Sequence, residues 1–193
     1  MRRVERRRAT SETGVAIDLD LDGTGTTAIR TGIAFFDHML TAFARHGRFN
    51  LVVEASGDLE VDAHHTVEDV GIVLGDALRE ALGEGRGIRR FGFAAIPMDE
   101  ALAQCAIDCG GRAYLVFDAP FSGSAVGGID STLFHHFFES VCQHAGCTVH
   151  LRAYGRNDHH VAEAVFKAFG VALQDAVALE PGDGRVPSTK GVF

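Results

Sequence analysis

Cysteine, excess positive charge and long apolar runs are all scarce in this chain, and each scarcity closes off a class of protein. There are four cysteines. Cys105 and Cys109 are separated by three residues, Cys142 and Cys147 by four. Neither spacing is that of a zinc ribbon, and the number is too low for a disulfide framework in a chain of 193 residues. They read as small buried hydrophobes. Lys and Arg total 18 against 26 Asp and Glu, a net charge of -8, which argues against general nucleic-acid binding. The one basic cluster, Arg2, Arg3, Arg6, Arg7 and Arg8, reads as a solvated N-terminal arm. No run reaches transmembrane length, and no apolar stretch of the signal-peptide kind follows those arginines. A cytoplasmic protein with no membrane partner is expected. A hydrophobic content of 46% with 23% charged residues is that of an ordinary globular chain, long enough for one large domain or two small repeats.

What the chain does have is histidine in a duplicated arrangement. The first copy is F-F-D-H, ending at His38, followed by H-H-T-V-E with His64, His65 and Glu68. The second is L-F-H-H-F, carrying His136, followed by H-H-V-A-E with His159, His160 and Glu163. The lone histidines are 98 residues apart, and each member of H-H-x-x-E is 95 residues from its counterpart. One such motif is unremarkable. Two, each trailing a lone helical histidine at similar distance, read as a duplicated metal half-site.

The intervening sequence repeats in the same order. Val15 to Asp20 and Thr26 to Thr31 read as strands joined in a hairpin through Asp22-Gly23-Thr24-Gly25. Phe35 to His46 has helical apolar spacing, Leu51 to Val53 is a short strand, and a long helix is predicted from about His64 to Leu82. Gly83 to Gly87 breaks it. In the second half, Ala101 to Ile107 and Tyr114 to Phe117 read as strands joined through Cys109-Gly110-Gly111. A helix from Thr132 to Ala145 and a strand from Thr148 to Leu151 follow. Asp158 then N-caps a helix to about Leu179. The expected fold is α+β, one domain made of two βα repeats, approximately 8–90 and 91–193, each a mixed sheet packed against two helices.

The long helices separate two faces. With His64 at 0°, Glu68 falls at about 40° and His65 at about 100°, while Val67, Val70, Leu74, Ala77, Leu78 and Ala81 fall between about 220° and 320°. The first histidine and the glutamate are one turn apart and can share an ion; the adjacent histidine diverges and more easily reaches another. Eight ligands over two ions give four each, which leaves positions open on an octahedral metal. Nitrogen and carboxylate without thiolate suit manganese, iron, cobalt or zinc. Lys167, at about 80° on the same flank of the second helix, is a candidate for holding an anionic substrate. Its counterpart in the first helix is Ile72. His46, His135, His144 and His150 lack paired context and read as surface or helix-end residues.

At these residues the chain resembles the imidazoleglycerol-phosphate dehydratase family. The resemblance runs through R-A-T-S-E-T (Arg8 to Thr13), F-F-D-H-M-L (Phe35 to Leu40), D-A-H-H-T-V-E-D-V-G (Asp62 to Gly71) and R-F-G (Arg90 to Gly92). It continues through P-M-D-E-A (Pro97 to Ala101), H-F-F-E-S (His136 to Ser140), the stretch Gly155 to Gly170, and S-T-K-G (Ser188 to Gly191). It covers nearly the whole chain. It implies a ribosomal protein S5 domain 2-like fold and a hydro-lyase of histidine biosynthesis with two Mn2+ per active site. It implies a homo-oligomer of 24 subunits with active sites between subunits. The metal ligands it implies are His38, His64, His65, Glu68, His136, His159, His160 and Glu163, the set already reached from the repeat. The phosphate-binding residues it implies are Arg90, Arg112, Ser188 and Lys190, with Lys167 close by. Acid/base candidates are Glu12, Glu68 and Glu163. A monofunctional form is expected, without the phosphatase domain of the family's bifunctional members.

Two positions depart from the family pattern. Ala42 stands where many members have Gln, and Gly110-Gly111-Arg112 stands where many read S-G-R. Neither removes a ligand; both bear on substrate contacts. The implied reaction is loss of water from imidazole glycerol phosphate to give imidazole acetol phosphate, through a metal-held imidazolate and a diazafulvene-like intermediate. The competing readings are a dinuclear metallohydrolase, which would release a hydrolysis product, and a non-enzymatic metal-binding cage, which would leave the arginine and S-T-K-G positions unexplained.

Overall fold

In the computed structural model, which describes residues 2–182 and 184–191, the strands fall into two four-stranded sheets of the same plan. β1 (Arg3–Ala9), β2 (Thr13–Asp20), β3 (Thr27–Arg30) and β4 (Asn50–Gly57) lie in the order β1-β2-β4-β3. β5 (Phe91–Met98), β6 (Ala101–Asp108), β7 (Tyr114–Asp118) and β10 (Thr148–Tyr154) lie in the order β5-β6-β10-β7. In each sheet the last strand is parallel to its neighbour and the rest are antiparallel. A small hairpin, β8 (Ala125–Val126) with β9 (Ile129–Asp130), precedes the third helix. The helices are α1 (Ala34–His46), α2 (His64–Leu82), α3 (Thr132–Ala145) and α4 (Asp158–Val177). This is the α+β duplication expected from sequence.

Neither expected hairpin forms. β2 and β3 are separated by β4, and β6 and β7 by β10. Asn50, at the start of β4, shows why in the first case. Its side-chain carbonyl accepts from the backbone N–H of Thr24 and of Thr26, 3.0 Å each. The turn is thus tied to β4 and carries the chain past it instead of folding β3 back on β2. The arginine-rich start is likewise a strand and not a solvated arm. β1 pairs with β2 in register from Arg3↔Asp20 to Ala9↔Gly14. Its arginines meet acidic partners: Arg3 with Asp18 at 2.5 Å, Arg6 with Glu80 at 2.5 Å and Arg8 with Asp69 at 2.8 Å. The fourth helix is capped by Asn157, whose side chain accepts from the His159 N–H at 3.0 Å. Asp158, expected to be the cap, instead accepts from Ser122 and Gly123.

The helices pack across the repeats. α2 lies on α3, and α4 lies on α1, while α2 covers β1 and β2 and α4 covers β5 and β6. Glycine permits the close approach. A Cβ at Gly75 of α2 would stand 2.7 Å from the Val141 carbonyl oxygen of α3. One at Gly170 of α4 would stand 2.3 Å from the Phe43 carbonyl oxygen of α1. Gly75 and Gly170 are themselves 95 residues apart, the offset of the H-H-x-x-E motifs. Buried phenylalanines fill the helix interfaces, with Phe43 of α1 stacked on Phe169 of α4 at 5.4 Å across the repeats and Phe137 of α3 on Phe166 of α4 at 5.4 Å within the second. Each such ring stabilises by roughly 1.5–3 kcal/mol through burial. All four cysteines are buried and free, as expected, and burial pushes the thiols of Cys105 and Cys109 up.

Candidate metal centre

Because each lone-histidine helix packs on the long helix of the other repeat, the ligand sets form crosswise. His38 of α1 joins His159 and Glu163 of α4. His136 of α3 joins His64 and Glu68 of α2. In each triad the three potential ligand atoms lie within 4.8 Å of one another. Glu163 Oε2 is 3.1 Å from His38 Nε2 and 3.2 Å from His159 Nε2. Glu68 Oε1 is 3.1 Å from His136 Nε2, and the His64 and His136 rings stack at 4.6 Å.

The donor chemistry fits a divalent cation. Two imidazole nitrogens and a carboxylate oxygen converge in each triad with no thiolate among them. His136 Nε2 is buried and makes no hydrogen bond among the described residues, although Glu68 lies nearby. An orphaned buried nitrogen is costly unless a further partner completes it, and a metal ion is such a partner. Burial pushes the Glu163 carboxyl up, but Lys167 and His38 outweigh it and hold it below its ordinary range. Glu163 is therefore an ionised carboxylate at neutral pH, the form that could hold a cation.

His65 and His160 stand outside the triads, as their divergence on the helix anticipates. Each is gripped at Nδ1. His65 donates to Asp58 at 3.0 Å, with Glu12 Oε2 at 3.8 Å. His160 donates to Glu100 at 2.8 Å. A hydrogen bond at Nδ1 fixes the ring and leaves Nε2 as the nitrogen that could ligate a cation. Asp58 and Glu100 were not singled out from the sequence. Their signal is position: Asp58 opens the loop between β4 and the first H-H, and Glu100 sits in the tight β5–β6 turn, far away in sequence. The two carboxylates raise the pKa of their histidines, and His160 in return helps pull Glu100 down to about 2.

The remaining predicted residues are dispersed. Lys167 Nζ is 2.7 Å from Glu163 Oε1, so it does point into the His38–His159–Glu163 triad. Arg90 lies just before β5 and makes a fork with Asp108 at 2.7 and 3.1 Å. Its Nη1 also donates to the Pro187 carbonyl at 2.8 Å, tying down the segment with Ser188 and Lys190. Arg112 is exposed in the β6–β7 connection, where its carbonyl accepts from Thr148 at 2.9 Å. Glu12 is exposed on the β1–β2 turn. His135 faces away from both triads towards Phe117. His144 pairs with Asp76 at 2.9 Å.

Comparison with known proteins decides the family. The family model for imidazoleglycerol-phosphate dehydratase matches residues 31–173, which span both triads. The chain belongs to the imidazoleglycerol-phosphate dehydratase family. Among relatives of that name, it is 62% identical to the protein of Methanoculleus marisnigri over 191 residues, 99% of each chain. It is 59% identical to that of Acidiphilium cryptum over 188 residues, 96% of each. The crystal structure of imidazoleglycerol-phosphate dehydratase from Staphylococcus aureus superposes with a TM-score of 0.84 at 38% identity. It covers 92% of this chain and 99% of that one. The enzyme from Pyrococcus furiosus, solved in complex with (S)-C348, gives 0.84 at 35% identity, covering 97% and 100%. The dehydratase fold is thus shared over nearly the whole chain.

Proposed function

We propose that the chain dehydrates imidazole glycerol phosphate to imidazole acetol phosphate in histidine biosynthesis, using two divalent ions per site, manganese by preference. The observation that carries this reading is the pair of crosswise triads, each completed by both repeats, in a chain of this family. His38, His159 and Glu163 would hold one ion, and His64, Glu68 and His136 the other, with His65 and His160 as the remaining ligands. Bound there, the ions would act as Lewis acids toward the imidazole and as a template for the substrate. The two repeats divide between α2 and β5.

The protein must also move a carbon-bound proton while hydroxide leaves from the carbon beside the ring. Three carboxylates were candidates. Glu163 is committed on both oxygens, to Lys167 through Oε1 and to two histidines through Oε2. Glu68 faces His136. Glu12 is 54% exposed and stands beside His65, so we assign it the base. It takes the proton from the carbon that becomes the carbonyl, and the resulting enol relaxes to the ketone. Arg90, Arg112, Ser188 and Lys190 anchor the phosphate, with arginine suited to bidentate contact.

One separation bears on assembly. The Arg90 N–H donates to the Ala176 carbonyl at the far end of α4 from Glu163, a distance of about 20 Å along the helix at 1.5 Å per residue. The substrate joins its ring to its phosphate by three carbons, a span under about 10 Å with bonds near 1.5 Å. The His38–His159–Glu163 triad and the Arg90 of the same copy are therefore too far apart to share one substrate. This supports sites formed between copies of the chain, in a homo-oligomer that we take to be the 24-subunit assembly. We place the enzyme in the cytoplasm. Among the described residues, no helix is long and apolar enough to cross a membrane.

The test follows ketone formation by manganese-loaded protein. Glu12→Gln is expected to retain its manganese and lose about 100-fold or more in kcat, the scale of a removed general base. Glu163→Gln is expected to lose metal and turnover together. Wild-type rates from Glu12→Gln would reassign the base. No ketone from the unmodified, metal-loaded protein would end the dehydratase reading.

A further inference from the structure

Arg90 is held in an unusual way. It is not glycine, yet its backbone is left-handed, with φ at 73°. That conformation costs an L-residue free energy unless its surroundings impose it. They do so from two directions. Its N–H donates to Ala176 at 2.8 Å, and its carbonyl accepts from the Cys109 N–H at 2.9 Å. The guanidinium then lies 4.8 Å over the Phe91 ring and is forked by Asp108 from Nε and Nη2. Both side chains are mostly sheltered, at 16% and 19% exposure, so solvent screens the pair less than it does a surface pair.

Gly110 provides the room for this fork. A Cβ there would stand 2.6 Å from Arg90 Nη2, 2.7 Å from Asp108 Oδ1 and 3.0 Å from Arg90 Cζ. The Gly110 backbone is not in the left-handed region, so what glycine supplies in this chain is space and not conformation.

We propose that Asp108 is a positioning residue for substrate phosphate, acting through Arg90, and that in this chain Gly110 leaves the room in which their fork lies. The inference rests on Arg90 being a phosphate anchor, as argued above. A guanidinium is planar, and one carboxylate on the Nε–Nη2 edge fixes that plane before substrate arrives. The same guanidinium holds the Pro187 carbonyl, so Asp108 also steadies the segment carrying Ser188 and Lys190. The carboxylate offsets part of the positive charge that phosphate would feel. What it contributes is orientation: less conformational freedom is lost on binding.

The experiment is steady-state kinetics of the manganese-loaded enzyme on imidazole glycerol phosphate, with inorganic phosphate as a competing ligand. The variants are Arg90→Ala, Asp108→Ala, their double variant and Gly110→Ala. Asp108→Ala is expected to raise KM and the phosphate inhibition constant about tenfold, the size of a lost charged hydrogen bond, with a smaller change in kcat. The double variant is expected to match Arg90→Ala alone, because Asp108 has no route to phosphate except through Arg90. Gly110→Ala keeps both charged groups and is expected to raise KM several-fold; it also serves if Asp108→Ala fails to fold. An unchanged KM in Asp108→Ala and Gly110→Ala, or additive effects in the double variant, would overturn the inference. An unchanged KM in Arg90→Ala would instead overturn the phosphate assignment on which it rests.

Discussion

Glu100 is held down to about 2, chiefly by the hydrogen bond from His160, and His160 is raised in return. Folding therefore favours the protonated histidine and the ionised glutamate. The histidine's contribution is complete below its unfolded value of about 6.5 and fades as pH rises through its elevated value. The glutamate's contribution is complete above about 4.3 and is lost as pH falls toward 2. His65 with Asp58 acts in the same sense as His160. In metal-free protein these pairs stabilise most between about pH 4.5 and 6.5 and weaken on the alkaline side. Metal binding reverses the slope, because a ligating imidazole must give up its proton. We expect chelator-treated protein to lose thermal stability between about pH 6 and 8, and manganese to stabilise it increasingly over the same range. Glu100→Gln should flatten the metal-free slope. Melting curves across that range decide the matter; a metal-free slope indifferent to Glu100→Gln would remove His160 from the titration.

At the scale of elements, the crossing of α1 on α4 tests how tightly the triads depend on packing. Gly170→Ala gains about 1 kcal/mol in helix propensity. The added Cβ meets a backbone carbonyl at 2.3 Å, which no rotamer change relieves, and overpacking of this kind costs about 1–3 kcal/mol. The contact wins because the obstacle is main chain on both sides. The variant is expected to melt several degrees lower, given 2–4 °C for about 1 kcal/mol in a chain of this size, and to bind less manganese at the His38 triad as α1 is pushed outward. Equal melting temperature and metal content would show slack between the helices. The same crossing marks the limit of what periodicity reveals. The 3.6-residue period sorted Glu68 with His64 and set His65 apart, because those facts belong to one helix. It was silent on which helix stands opposite, so the exchange of lone histidines between repeats needed the fold. β1 was hidden because a run of arginines looks the same in a free arm and on an edge strand with acidic neighbours. β5 was hidden because its pattern is inverted. Phe91 and Phe93 face out at 61% and 60% exposure while Gly92 and Ala94 face in. Gly92 must be that small, for a Cβ there would stand 1.9 Å from the Ala172 carbonyl of α4. Strand order was hidden because a turn signal at Asp22 to Gly25 says that the chain reverses, not whether another strand will slip between.

At the scale of the whole molecule, the proposed ligand role of His65 and His160 turns on where their Nε2 nitrogens would be delivered. Both are clamped from behind by a carboxylate and stand apart from the triads of their own chain. Arg90, beside the far end of α4, is likewise too distant to meet a substrate held at its own chain's Glu163. Incomplete triads, outlying histidines and a remote phosphate anchor are all satisfied together if copies exchange these parts. Exchange of this kind has a consequence that a self-contained site lacks. A chain with both triads broken, His38→Ala with His64→Ala, still offers intact His65 and His160. A chain with those two replaced, His65→Ala with His160→Ala, still offers intact triads. Each alone is expected to be inactive. Dissociated, mixed and reassembled with manganese, the two are expected to regain a fraction of wild-type turnover, rising with the number of mixed contacts. Mass measurement of the hybrids confirms that both chains entered the assembly. Recovery requires that an ion take a triad from one copy and a histidine from another, since neither chain can complete a site by itself. Hybrids that assemble, load metal and stay inactive would mean that His65 and His160 serve their own chain after a rearrangement, and the shared site would have to be abandoned.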